Sequence, residues 1–225
     1  MIRGAIFDMD GVLVNNARYH IRAWQQLGKE LGKEFRAEDI RRVFGRRNRE
    51  MLAVLTGRQY PKEELERITG HKEELYRAII GPEIVPMTGL VEFLGQLKKA
   101  GLKAAVATSG PKENVEFVME RLNIGQYFDA IATGGEVQRA KPAPDIFLLA
   151  AQRLGLPPLE CVVFEDSTAG IEAATSAGCP CIALSTTHTP AELARTSALK
   201  VFPDFKSIEV ADLTKPTPGR QGTRM

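Results

Sequence analysis

The sequence predicts an α/β fold, a doubly wound parallel sheet with an α-helical domain inserted after the first strand. Three observations predict it. A short apolar run near the start, Gly4-Ala5-Ile6-Phe7, has no helical period and stops at two acids, Asp8 and Asp10. From Ala17 to Ile79 apolar residues recur at helical spacing, and no strand candidate interrupts them. From Leu90 onward amphipathic helices alternate with short apolar strands, which is the pattern of parallel strands joined by right-handed crossovers.

The first strand leads into Asp8-Met9-Asp10-Gly11. A buried strand that ends in two carboxylates is costly unless they meet a cation or donors. In open α/β sheets the C-terminal ends of the strands are where ligands sit. Asp-x-Asp-Gly also opens calcium loops, but the later oxygen ligands and the closing Glu are missing here. In the helical block, Ala17, Ile21, Trp24, Leu27 and Leu31 form one stripe, followed by Ile40, Val43 and Phe44. Leu65, Ile68, Leu75 and Ile79 form another, with Lys72 as a polar flaw in it. Gly32, Gly45, Gly57 and Gly70-His71 are the expected breaks. Gly81-Pro82 and Pro86 to Gly89 form the return linker.

Beyond the linker, helices are expected over Leu90–Ala100, Glu113–Leu122, Pro144–Leu154 and Ala169–Ala177. Strands are expected over Leu102–Ala107, Ala130–Thr133, Cys161–Phe164 and Cys181–Leu184, with an edge strand over Leu199–Phe202. The domain division is therefore residues 1–15 and 86–214 for the α/β core and 16–85 for the helical cap. Residues 215–225 read as a disordered polar tail.

A chain of 225 residues holds one sizeable core, or a core with a small second domain. A net charge of +2 gives no global pull toward nucleic acid or an anionic membrane, and neither is expected as a partner. The three cysteines, Cys161, Cys179 and Cys181, are odd in number and lack CxxC spacing, which points to buried thiols in a reducing compartment. With no signal-peptide layout and no apolar run of membrane-spanning length, the expected location is cytoplasmic.

Each strong strand stops at a polar cluster. The first gives Asp8 and Asp10, the second Thr108-Ser109-Gly110, and a later one Glu165-Asp166-Ser167. Lys141 stands alone in a Lys-Pro-Ala-Pro turn ahead of a helix. A parallel sheet brings these four to one edge. Carboxylates cannot crowd together ionised without a cation. Oxygen ligands without His or Cys point to Mg²⁺ rather than zinc. The ammonium, the hydroxyl and free backbone N–H groups suit phosphate oxygens. The inventory is that of a phosphoryl-transfer site.

The set Asp8-Met9-Asp10-Gly11-Val12, Thr108-Ser109, Lys141-Pro142-Ala143-Pro144-Asp145 and Phe164-Glu165-Asp166-Ser167 resembles the four motifs of the haloacid dehalogenase-like (HAD) hydrolase superfamily. It looks most like the branch with a helical cap after the first motif, which holds β-phosphoglucomutase and many sugar-phosphate phosphatases. The resemblance spans roughly residues 1–212 and implies a Rossmann-like core with an inserted cap. It implies that Asp8 is the nucleophile, forming an aspartyl-phosphate. Asp10 would be the general acid and then the base, with its carbonyl on Mg²⁺. Asp166 would ligate the metal, and Glu165 would ligate it or orient from behind. Thr108 and the Ser109 N–H would hold phosphoryl oxygens, and Lys141 would offset charge. Ser167 reads as the cap of the following helix rather than a catalyst.

In the cap, the substrate candidates are His20, Trp24 and the Arg46-Arg47-Asn48 turn. Tyr19 to Trp24 resembles the cap helix of the phosphoglucomutase-like branch, in which the His faces the site. Two departures stand out. Asn15 replaces an acid often found after the first strand. Ser109-Gly110-Pro111-Lys112 lacks the adjacent Ser-Lys pair of the mutases, although Lys112 is placed to take part of that role. The expectation is a Mg²⁺-dependent phosphatase acting on a small phosphorylated metabolite, a sugar or polyol phosphate, as a monomer. The alternative is a phosphomutase of the β-phosphoglucomutase type.

Overall fold

Residues 1–214 are described in a computed structural model of the chain. Six strands form one parallel sheet. They are β1 (Gly4–Phe7), β2 (Lys103–Thr108), β3 (Ala130–Thr133), β4 (Cys161–Glu165), β5 (Cys181–Leu184) and β6 (Lys200–Phe202). Their spatial order is β3-β2-β1-β4-β5-β6, so the first strand lies at the centre, between β2 and β4. Ile6 pairs with Ala105 on one side and with Val163 on the other.

Side chains of a strand alternate between faces, and the two faces of β1 feed two cores. Ala5 and Phe7 pack with Leu90, Phe93, Leu94 and Leu97 of α5 (Leu90–Lys99) and Val115 and Val118 of α6 (Lys112–Leu122). Ile6 packs with Phe147 and Ala150 of α7 (Asp145–Leu154) and Ile171 of α8 (Thr168–Ser176). Helices thus cover both faces, which is why the central strands are apolar throughout rather than alternating.

Four helices lie in the chain between β1 and α5. They are α1 (Ala17–Glu30), α2 (Ala37–Arg42), α3 (Asn48–Thr56) and α4 (Lys62–Ile80). They enclose a core of their own, with Trp24, Leu27, Phe35, Ile40, Met51, Leu52 and Ile68 buried. At its foot, Tyr19 and Ala23 of α1 and Tyr76 and Ile80 of α4 join the core under the sheet. This seats the helical unit over the C-terminal end of β1.

The structure corrects the break expected at Gly70-His71. Helix α4 runs unbroken through both residues. Gly70 faces solvent, and a glycine inside a helix costs only about 1 kcal/mol. Burial of Ile68, Lys72 and Tyr76 in α4 outweighs that. Two short helices not anticipated from sequence follow β5, namely α9 (Pro190–Leu193) and α10 (Val210–Thr214). The first is closed by a capping box between Thr189 and Glu192. The tail expected to be disordered, 215–225, lies outside the described residues. All three cysteines are buried free thiols, and burial raises their pKa values, to about 11 for Cys161 and about 12 for Cys179. No described helix is long and apolar enough to cross a membrane.

Candidate active site

The C-terminal ends of β1, β2 and β4 and the Lys141 turn meet in one cavity roofed by α1, α3 and α4. Asp8, Asp10, Thr108, Ser109, Lys141, Glu165, Asp166, His20, Trp24, Arg46 and Asn48 all line it. Lys141 is its centre. The buried ammonium donates to Asp8 Oδ1 at 2.6 Å and to Glu165 Oε1 at 2.7 Å. Glu165 is the last residue of β4 rather than the first beyond it. Its second oxygen accepts from the N–H groups of Asp166 and Ser167 and from Ser167 Oγ. With both oxygens engaged, Glu165 orients Lys141 and fixes the start of α8. Ser167 is the N-cap of α8, accepting from the Gly170 N–H.

Asp166 also lines the cavity. Its Oδ2 accepts from the hydroxyls of Thr186 and Thr187, in the loop after β5, and its carbonyl meets His188 Nδ1 at 3.1 Å. Gly11 must be a glycine here. Its φ is +79°, and a Cβ would come within 1.8 Å of Asp166 Oδ2. Thr108, fully buried, accepts the Gly110 N–H at 3.0 Å, which shapes the turn after β2.

Charge is unbalanced in this cluster. Three carboxylates, Asp8, Glu165 and Asp166, share the cavity wall with one ammonium, Lys141, which contacts the first two. Burial pushes Asp8 up from 3.8 to about 8, helped by Glu165 and Asp10 and opposed by Lys141. Burial, Glu165 and Asp8 likewise push Asp166 well up. Lys141 is held above the usual lysine range, because Asp8 and Glu165 outweigh its burial. Asp8 Oδ2 and Asp166 Oδ1 have no donor among the described residues. No described group of three His, Cys, Asp or Glu side chains forms a metal cage. Two carboxylates with open oxygens, short of positive charge and without a full cage, fit Mg²⁺, which keeps waters and takes one or two carboxylates plus substrate oxygens. They do not fit a structural zinc site.

The helical unit contributes a second buried network. Asp10 Oδ1 accepts from Asn16 Nδ2 at 2.6 Å and lies 3.2 Å from His20 Nε2. His20 stacks on Tyr76 at 3.7 Å between ring centroids. Its Nδ1 lies 2.8 Å from Lys72 Nζ. An ammonium can only donate, so Nδ1 accepts and the ring proton sits on Nε2, facing Asp10. Lys72 also donates to Glu73 at 2.9 Å, and Glu73 accepts from Asn48 and from Asn114 of α6. Burial alone would raise Asp10, but His20, Asn16 and Lys72 outweigh it and bring the carboxyl down to about 2.

The expected cap residues therefore part company. His20 and Trp24 lie on the cavity wall, with the Lys72 ammonium 5.3 Å from the Trp24 ring centroid. Arg46 lines the cavity and is exposed, while Asn48 is tied to Glu73. Arg47 is turned away from the cavity, onto the carbonyls of Val137 and Gln138. Lys112 does not reach the cavity either. Its side chain is 76% exposed and paired with Glu116. Asn15 is exposed, and it is the next residue, Asn16, that holds Asp10. Sequence reasoning missed Asn16, Lys72, Glu73 and Tyr76. The one signal was Lys72 itself, a charge inside an apolar stripe four residues before Tyr76.

An acid–lysine cluster at the end of a central parallel strand, under an inserted helical roof, defines an enzyme of the doubly wound α/β class. Comparison with known proteins supplies the family. Residues 2–178 match the haloacid dehalogenase-like hydrolases, and the chain belongs to that family. It is 34% identical over 177 residues to a phosphorylated carbohydrates phosphatase of Thermotoga maritima, covering 79% of this chain and 82% of that one. It is 32% identical over 185 residues to the β-phosphoglucomutase of Bacillus subtilis, covering 79% and 80%. Among solved structures, CbbY of Rhodobacter sphaeroides in complex with phosphate superposes with a TM-score of 0.85 at 30% identity, covering 95% and 99%.

The site's packing makes one substitution diagnostic. A Cβ on Gly170 would fall 1.8 Å from Glu165 Oε1, and four hydrogen bonds hold that carboxylate in place. Glycine to alanine inside a helix ordinarily stabilises by up to about 1 kcal/mol. Gly170→Ala should instead destabilise by about 1–3 kcal/mol in urea titration. A stabilised variant would contradict the described Glu165 position.

Proposed function

We propose that the chain is a Mg²⁺-dependent phosphatase that hydrolyses a small phosphorylated sugar or polyol through an aspartyl-phosphate on Asp8. The observation that carries this is the Lys141 ammonium bridging Asp8 and Glu165 at the C-terminal edge of the sheet, with Asp166 beside it. The Asp8 carboxylate supplies the attacking oxygen. Asp8, Asp166 and the Asp10 carbonyl would hold Mg²⁺, which would supply neutralisation of charge on the transferring group. Lys141 opposes the burial that raises Asp8 and faces the same developing charge. Thr108 and the Ser109 N–H take phosphoryl oxygens.

Asp10 does the proton work. In the first half it protonates the leaving oxygen, and in the second it takes a proton from the water that attacks the aspartyl-phosphate. Lowered to about 2 in this arrangement, it rests as the carboxylate, the form in which the second task begins. For the first, Asn16 and His20 both engage Oδ1, which leaves Oδ2 to carry the proton that goes to the leaving oxygen. Trp24, Phe44 and Met51 give the cavity an apolar wall for the substrate's carbon frame, and the exposed Arg46 stands at its mouth. The helical unit, residues 16–85, acts as the lid that excludes bulk water.

The mutase alternative finds less support. The residues after β2 offer no Ser-Lys pair, and Lys112 points to solvent. Phosphorus NMR on a panel of sugar and polyol phosphates with Mg²⁺, including β-glucose 1-phosphate with glucose 1,6-bisphosphate, separates the two. Free phosphate from a subset is the expected result. Interconversion of 1- and 6-phosphates with little free phosphate would establish the mutase instead.

Metal linkage has a definite sign. Asp8 and Asp166 are raised in the metal-free fold, so between 3.8 and about 8 the folded chain binds more protons than the unfolded one. Stability without metal therefore falls as pH rises through that window. Mg²⁺ competes with those protons, so its thermal stabilisation should be larger near pH 8 than near pH 5 in scanning fluorimetry. A Mg²⁺ shift that shrinks with rising pH would refute the carboxylate site.

A further inference from the structure

We propose that Arg47 is a positioning residue that couples the seating of the helical lid to the placement of Lys141. The proposal rests on the phosphatase reading for its kinetic consequence, and on the hydrogen bonds of Arg47 for its substance.

Arg47 occupies the N-cap position of α3, on the lid side of the seam. Its guanidinium crosses to the core and donates Nη2 to Val137 O at 2.8 Å and Nη1 to Gln138 O at 3.1 Å. Two adjacent carbonyls gripped by one planar fork fix a peptide in position and orientation, which a lysine cannot do. The residue is only 9% exposed. No carboxylate forms an ion pair with it among the described residues, and Nε is buried without a partner. Burial, with Arg49 nearby, lowers its pKa from the usual arginine value. A whole charge has thus been taken from water in exchange for two neutral carbonyls, so the contact adds little to stability.

What Arg47 holds is more informative than how tightly. Val137 and Gln138 precede Lys141 by four and three residues. The loop is tied to the core on either side of them. Upstream, Glu136 is bound by Thr133 and Arg153. Downstream, Arg139 is paired with Asp145 at 2.7 Å. Between these ties, the two carbonyls take their described hydrogen bonds from the lid alone. Swinging the lid away removes them and frees the segment that carries Lys141. Closing it restores both and aligns the ammonium on Asp8. A neighbouring contact, Ser109 Oγ to Gly45 O at 3.1 Å, marks the same closed seam beside the other end of the loop's cleft.

The test combines steady-state kinetics with hydrogen exchange on full-length Arg47→Ala and Arg47→Lys. For Arg47→Ala, kcat/KM should fall about 10- to 100-fold, mostly in kcat, because a misplaced catalytic group costs that order. Amides in the 137–141 segment should exchange faster while those of β4 keep wild-type protection. Arg47→Lys should recover part of both. Three results would overturn the proposal. One is kcat/KM within twofold of wild type. Another is a loss confined to KM with unchanged exchange at 137–141, which would make Arg47 a substrate contact. The third is faster exchange throughout the sheet, which would make it a stability element. If the wild type releases phosphate from no substrate, the phosphatase reading fails, and the exchange arm still decides whether Arg47 holds the loop.

Discussion

A single buried ammonium sets the terms for this site. Lys141 is the cation in direct contact with the carboxylates at the end of the sheet, and it satisfies two of them at once. Burying charges is tolerable only when they are paired and hydrogen-bonded. Here the pairing is incomplete by design of the inventory, since Asp8, Glu165 and Asp166 outnumber it. The fold therefore leaves an excess of buried carboxylate at this edge of the sheet. Much else in the core serves that arrangement. Glu165 is saturated with donors so that it can hold Lys141. Gly11 and Gly170 lack side chains because Asp166 and Glu165 occupy the space.

The sheet explains why these groups meet. Parallel strands put all their C-terminal ends on one edge, and the central placement of β1 between β2 and β4 brings Asp8, Thr108 and Glu165 together from positions more than fifty residues apart in sequence. The roof then adds what the sheet lacks. Asp10 belongs to the core, but its proton chemistry is set from above, by His20 and Lys72, and beside it by Asn16. Asp10 of the core and His20 and Lys72 of the helical unit form one hydrogen-bonded unit.

The core of this arrangement was legible in the sequence because its signals are local. Apolar runs of four to six residues ending in Asp, Thr or Glu mark strand ends, and a parallel sheet leaves no choice about where those ends go. Element edges moved by a residue or so. At Glu165 the edge falls one residue later than expected, so this acid closes β4. The lid was less readable. Lys72 looked like a fault in a hydrophobic stripe, since periodicity scores a buried ammonium as an error and does not see Glu73 and His20 meeting it across two helices. Gly70 looked like a break because propensity is judged locally, whereas packing on both sides of it decided the outcome. For Arg46 and Arg47, side by side in one turn, composition could not say which faces the cavity and which grips the core. Their contacts separate them, Arg46 on the cavity wall and Arg47 on the Val137 and Gln138 carbonyls.

The central claim is that Asp8 becomes covalently phosphorylated. The most direct measurement is intact and peptide mass spectrometry on enzyme quenched in acid during turnover. A mass gain of one phosphoryl group is predicted, on the peptide that holds Asp8, and absent from Asp8→Asn. Turnover to free phosphate without a phosphorylated species, or with the group on another residue, would contradict the account.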